Sequence, residues 1–114
     1  MNESILTSIK KMLGITEEYE YFDTDLIIHI NTVFMILKQL GVGPPDGFSI
    51  INKTNTWDEF LPDNKKLEAV KSYVYMKVKI VFDPPQSSAV TECMNRMISE
   101  LEFRINVEAE SESE

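Results

Sequence analysis

Apolar residues in the N-terminal segment recur every three or four positions, which is the spacing of one face of an α-helix. These positions are Ile5, Leu6, Ile9, Met12 and Leu13. Ser4 precedes them as an N-cap, and Gly14 stands where a glycine commonly ends a helix. The pattern predicts a short amphipathic helix, followed by an acidic and aromatic connector over residues 16–22.

A second helical pattern covers about residues 23–40, and Gly41 is its stop signal. Its core stripe consists of Leu26, Ile27, Ile30, Val33, Phe34, Leu37 and Leu40. Ile28, Met35 and Ile36 lie off this stripe, on the other side of the helix. Because a surface helix needs only one apolar face, this second set predicts an interface with a partner.

Residues 41–56 lose the helical periodicity. The sequence GPPDG at 43–47 is a dense turn signal, and FSII at 48–51 predicts either a short strand or an extended arm. Phe48 and Ile50 of this arm are candidate contact residues.

The sequence TWDE, starting at Thr56, is typical of a capping box, in which Glu59 reaches back to the N-cap residue. It predicts one helical turn over residues 57–61 that covers the core with Trp57, Phe60 and Leu61.

Residues 63–82 contain many strand-favouring side chains, but a run of nearly twenty residues without glycine or proline favours a helix. One apolar face consists of Leu67, Val70, Val74, Val78 and Val81. A second face carries Tyr73, Met76 and Ile80. Two interpretations remain: the helix is central and buried on both sides, or its second face contacts another subunit.

A fourth helix is predicted from Ser87 or Ser88 to about Val107, after the helix-breaking sequence DPP. Its apolar face consists of Val90, Cys93, Met94, Met97, Ile98, Leu101 and Ile105, and Cys93, Met94 and Met97 are most simply read as core residues. Phe103 falls among the polar positions and is a further candidate contact residue. Residues 108–114 hold four glutamates and no base, and are expected to form a disordered acidic tail.

These segments predict an all-α domain over residues 1–107, with four helices and an irregular arm between the second and the third. The chain has 114 residues, of which 43% are hydrophobic and 26% charged, as expected for one globular domain. Cys93 is the only cysteine, which excludes an internal disulfide and fits a reducing compartment. With no membrane-spanning run and no signal-peptide pattern in residues 1–4, a soluble intracellular protein is expected.

Charge and catalytic residue types narrow the functional classes. A net charge of −8 is unlike that of a free nucleic-acid-binding protein. His29 is the only histidine, and Asp25 is most simply its partner in a surface ion pair. The sequence holds no glycine-rich phosphate loop, metal-spaced Cys or His pair, or nucleophile motif. We therefore expect no enzymatic activity, no catalytic residue, no cofactor and no metal.

Six segments follow one another through the domain in a characteristic order. They are SILTSIKKMLGI at 4–15, FDTDLI at 22–27, TWDEFL at 56–61, the stretch from AVK to FDPP at 69–85, MNRM at 94–97 and ELEFR at 100–104. In order, spacing and total length they resemble the small head-tail connector proteins of tailed phages and prophages of Gram-positive bacteria. The resemblance covers residues 4–107.

The resemblance implies a head-completion, or adaptor, protein built as a helical bundle with a protruding arm. Such proteins form a ring beneath the portal after DNA packaging and carry the stopper or tail. The implied partners are further copies of the chain, the portal protein and a stopper or tail-completion protein. DNA would pass through the channel without specific binding, and the location would be the head-tail interface of the virion.

A second hypothesis is a small phage- or host-encoded regulatory module that binds a partner through its apolar helix faces and acidic tail. A hydrolase or nuclease that uses His29 is a distant third. Copies assembled in particles would support the connector, whereas a soluble one-to-one complex would support the regulatory module.

Overall fold

The computed structural model describes residues 3–62 and 66–113, and side chains as far as residue 110. Its regular elements are the helices α1 (Ile5–Met12), α2 (Asp23–Gln39), α3 (Trp57–Phe60), α4 (Leu67–Phe82) and α5 (Ser88–Ser113). No strand occurs within these described residues. The all-α prediction is therefore confirmed, with the short helical turn counted as α3.

The central element is α4, which packs against both α2 and α5, while α1 packs against α2. Residues on two sides of α4 are buried: Leu67, Val70, Tyr73, Val74, Met76 and Val78. Of the two sequence interpretations, the central helix is the one observed. Tyr73 and Met76, which the sequence places among the candidate contact residues, are buried in the core of the subunit, and Ile80 is half-buried against the same core.

Glycines end α1 and α2 in the predicted way. Gly14 has φ +82° and Gly41 has φ +92°, the left-handed conformation that glycine adopts without a steric penalty. Beyond Gly41, the Val42 amide donates to the Leu37 carbonyl over 2.9 Å, and both side chains are buried. This pattern is a Schellman motif, so the direction in which the chain leaves α2 follows from local sequence.

The short helix α3 closes one end of the core. Trp57 and Phe60 are 1% and 2% exposed. The Thr56 amide donates to Glu59 Oε1 over 3.0 Å, as expected for the predicted capping box. The indole Nε1 of Trp57 donates to Ser8 Oγ over 2.8 Å, which fastens α3 to α1.

The predicted arm is docked on α2 and forms no strand. The Ile50 amide donates to Asn31 Oδ1 over 2.7 Å, and Asn31 Nδ2 donates to the Ile50 carbonyl over 3.0 Å. One side chain thus supplies both hydrogen bonds that a neighbouring strand would offer. The candidate contact residue Ile50 is buried in the subunit, and the half-buried ring of Phe48 packs edge-on against Phe34.

The connector between α1 and α2 is anchored by a buried lysine. Lys10 is 2% exposed, and its ammonium group lies 2.8 Å from Asp23 Oδ1 and 2.9 Å from the Glu17 carbonyl oxygen. Both partners are needed because a buried charge is costly unless it is paired and hydrogen-bonded.

The limits of the last two helices differ from the predicted ones. α4 begins at Leu67, and the predicted start at Asp63 lies outside the described residues. The Val90 amide donates to Ser87 Oγ, so Ser87 is the N-cap of α5.

At its other end α5 continues to Ser113, beyond its predicted end at about Val107. Asn106 Nδ2 donates to the Leu40 carbonyl over 3.2 Å, and Ala109 packs half-buried against the core. These contacts with the end of α2 hold the last turns of α5, whose composition alone favours disorder.

Candidate interaction surfaces

The nine residues proposed as contacts from the sequence fall into three groups. Ile28, Met35 and Phe103 are exposed, with 58%, 56% and 69% of their side chains accessible. Ile36, Phe48 and Ile80 are half-buried against the core. Ile50, Tyr73 and Met76 are buried. The exposed residues are not gathered in one place, because the first two lie on α2 and Phe103 lies on α5.

The solvent side of α2 carries a row of uncharged side chains, which we call the α2 outer face. The row consists of Thr24, Ile28, Thr32, Met35 and Gln39, and two further exposed residues, Asp25 and Lys38, flank it with opposite charges. Helical spacing places Ile28 and Met35 opposite the buried side of the helix. The Thr32 hydroxyl donates to the Ile28 carbonyl over 3.0 Å, so its proton is used within the helix. The α2 outer face is therefore apolar at two positions and uncharged between them.

A second exposed apolar row, which sequence reasoning assigned to the core, lies on the first turns of α5. We call Val90, Cys93 and Met97 the α5 stripe; Val90 is 49% exposed, Met97 52%, and Cys93 is exposed as well. None of residues 88–97 is buried, and the first buried side chain of α5 is Ile98. This part of the helix therefore presents apolar side chains to solvent.

The width of the apolar arc explains this outcome. At about 100° per residue, the predicted core face of α5 extends over roughly 140°, from Cys93 to Ile98. The helix that α5 packs against is α4, and one neighbouring helix covers only one side of its partner. Ile98 and Ile105 occupy the covered side. The apolar arc of α5 is wider than the surface that one neighbouring helix can cover. This width could have indicated from the sequence that part of the arc is exposed.

Ion pairs beside the α5 stripe leave its surroundings without net charge. Arg96 lies 2.7 Å from Glu92, and Arg104 lies 3.4 Å from Glu100. Each pair is spaced i, i+4 on the exposed side of the helix. A partner that covers the stripe would therefore meet balanced charges at its edges.

Phe103 belongs to a different part of the α5 surface. It lines a shallow depression together with Glu100, Arg104, Val107 and Glu108. Since Phe103 and Val107 are both exposed, this depression is a further candidate for contact with another protein.

The connector before α2 adds an aromatic cluster to the surface. Tyr19 and Tyr21 are exposed, and their ring centroids lie 5.7 Å and 5.0 Å from that of Phe22. Phe22 in turn packs edge-on against Phe82, with centroids 5.1 Å apart. The aromatic connector is therefore anchored to the end of α4 by ring contacts.

Among the described residues, the phenol of Tyr73 has a perturbed pKa. The buried Tyr73 hydroxyl donates to Glu102 Oε2 over 2.6 Å, and Lys77 Nζ lies 3.9 Å from the same oxygen. Burial, and then the hydrogen bond to Glu102, raise the pKa of Tyr73 above its ordinary value. Tyr73 is inaccessible to solvent, and its hydrogen bond to Glu102 joins α4 to α5.

Among the described residues, no three His, Cys, Asp or Glu side chains are grouped so that they could hold a metal ion. In that part of the chain no helix is both long and apolar enough to cross a membrane.

Comparison with known proteins adds one finding. The family model described as phage connector protein matches residues 5–112, which is nearly the whole chain and includes every helix from α1 to most of α5. No curated protein matches the chain significantly. No solved structure does either.

Proposed function

Because the chain belongs to the phage connector protein family, a family of structural proteins, we propose that it is a non-enzymatic head-tail connector. In this proposal it is a head-completion adaptor that forms a ring under the portal after DNA packaging. The ring links the capsid to the stopper or tail.

The observation that carries the proposal is the family match over residues 5–112, because it covers the complete helical domain. The exposed apolar positions of α2 and α5 support it independently. A subunit in a ring contacts two neighbours through two different surfaces, and such heterologous contacts need two separate patches.

The proposed partners are further copies of this chain, the portal protein, and a stopper or tail-completion protein. The proposed location is the head-tail interface of the virion, with assembly in the host cytoplasm and no membrane association. DNA passes through the channel without specific binding, and the net charge of −8 supports this because an acidic wall does not attract phosphates.

Quantitative mass spectrometry of purified particles from a strain that encodes this chain tests the proposal. The expected result is a low and constant molar ratio to the portal subunit, which persists after a high-salt wash that removes adsorbed lysate proteins. Recovery of the chain only from the soluble lysate would contradict the connector and favour the regulatory module.

A further inference from the structure

We propose that the α2 outer face of one subunit packs against the α5 stripe of the next subunit. The inference rests on the proposed function, since a ring supplies the neighbouring copy. The contact is heterologous, because two different surfaces meet in it, α2 of one subunit and α5 of the next.

The two surfaces match in length and in the order of large and small side chains. Ile28 and Met35 are seven positions apart, as are Val90 and Met97, which is about 10.5 Å along each helix. A smaller side chain lies between the large ones in each row, Thr32 on α2 and Cys93 on α5. Large side chains can therefore fit beside small ones across a helix pair whose axes are roughly 8–10 Å apart.

A single subunit leaves both apolar surfaces exposed to solvent. Ile28, Met35, Val90 and Met97 all keep about half of their side-chain area exposed, so neither row covers the other within one chain. Each row instead requires the complementary row of another copy. Repeating the same contact from subunit to subunit produces a ring when the rotation closes.

Charge favours a second copy over a charged partner. Two chains of net charge −8 repel each other except where their contacting surfaces are neutral. The α2 outer face carries Thr24, Thr32 and Gln39 beside its apolar residues, and the exposed acid and base that flank it, Asp25 and Lys38, balance in charge. Glu92 and Arg96 beside the α5 stripe form an ion pair. The contact therefore joins two apolar rows whose surroundings carry no net charge.

Cysteine cross-linking tests the pairing directly, because Cys93 is the only native cysteine and lies within the α5 stripe. The variant Met35→Cys places a second thiol on the α2 outer face. Treatment of concentrated purified protein and of particles with a short bismaleimide should yield a ladder of covalent oligomers with 35–93 linked peptides. The controls Met35→Cys/Cys93→Ser and Lys53→Cys, the latter exposed on the arm, should yield no ladder.

Each outcome decides the question. Linked 35–93 peptides in either preparation support the pairing, and their absence from both overturns it. Wild-type dimers linked through Cys93 alone would show an α5–α5 contact and would also overturn it. If particles contain the chain and neither preparation gives a 35–93 link, the pairing is contradicted while the connector function stays intact.

A charge placed in the contact gives a second measurement. In the Met35→Cys background, Met97→Asp should lower the yield of linked oligomers about tenfold or more, since it buries an unpaired carboxylate. Its circular dichroism should remain that of the parent, because Met97 is half-exposed in the subunit. An unchanged yield would contradict the proposal.

Discussion

The junction of α1 with α3 and the first turns of α5 both carry helical rows of apolar side chains, but only the junction is buried. At the junction Ile5, Ile9 and Trp57 are almost completely inaccessible, whereas Val90 and Met97 of α5 are half-exposed. Both rows would be assigned to a core from their spacing alone. The difference lies in how many other elements surround each row.

At the junction, hydrogen bonds between distant parts of the chain accompany the burial. The Ile5 amide donates to the Asn55 carbonyl, and the Trp57 amide donates to the Glu3 carbonyl, each over 3.0 Å. Lys71 adds an ion pair with Glu3 and lies 5.7 Å from the centre of the Trp57 ring. Around the α5 stripe, by contrast, the ion pairs stay within the one helix. Burial therefore follows from convergence of several segments.

The largest effect is expected for Trp57→Ala at the junction. Removing a buried indole leaves a cavity and the Ser8 hydroxyl without its donor, so the free energy of unfolding should fall by roughly 3–5 kcal/mol. Urea denaturation followed by circular dichroism measures it. Met97→Ala is the matched control, and equal losses for the two variants would contradict the contrast between the regions.

A smaller loss of stability is expected from a substitution at Asn31, where the arm is hydrogen-bonded to α2. Asn31→Ala leaves the amide and carbonyl of the buried Ile50 without their side-chain partner, which should cost roughly 1–3 kcal/mol in unfolding free energy. The neighbouring variant Thr32→Ala, on the α2 outer face, should change stability far less. Faster amide exchange at Ile50 in Asn31→Ala would locate the loss in the arm, and unchanged exchange there would argue against this role.

Tyr73→Phe should lower the free energy of unfolding by about 1 kcal/mol at neutral pH. The substitution removes the hydrogen bond to Glu102 but little side-chain volume. The pKa of Tyr73 is raised in the folded state, so the unfolded chain loses this proton first as the pH rises. The contribution of the Tyr73 hydroxyl to the free energy of unfolding is therefore complete below about pH 10 and declines above it.

Denaturation of wild type and Tyr73→Phe across that pH range measures this decline. The stability difference between the two proteins should shrink on the alkaline side, whereas Tyr75→Phe, at a half-buried tyrosine on the same helix, serves as the reference variant. A difference that stays constant with pH would mean that the hydroxyl does not contribute in this way.

The smallest effect is expected on the α5 stripe. Val90→Ser together with Met97→Ser should alter the unfolding free energy of the isolated subunit by no more than about 0.5 kcal/mol, because neither side chain is buried. A loss comparable to that of Trp57→Ala would show that the stripe belongs to the core after all.

Several features of the fold could be predicted because their causes are local. The Ser4 cap, the glycines after α1 and α2, and the Thr56–Glu59 capping box each act within a few residues, and each is present in the structure. The order of the helices followed from apolar spacing in the same way. The burial of the candidate contact residues was not local in this way: Ile50, Tyr73 and Met76 are buried by distant parts of the chain, whereas Ile28, Met35 and Phe103 are exposed.

Sequence by itself determined the presence of the helices, the ends of α1 and α2, and the membership of the phage connector family, because short-range patterns and residue order carry that information. Only the tertiary structure decided which apolar faces are covered. It made α4 central, docked the arm on Asn31, extended α5 through contacts with the end of α2, and left the α2 outer face and the α5 stripe exposed. Whether an apolar face is buried depends on how many distant segments of the chain pack against it. The spacing of apolar residues within one helix does not reveal how many segments do so.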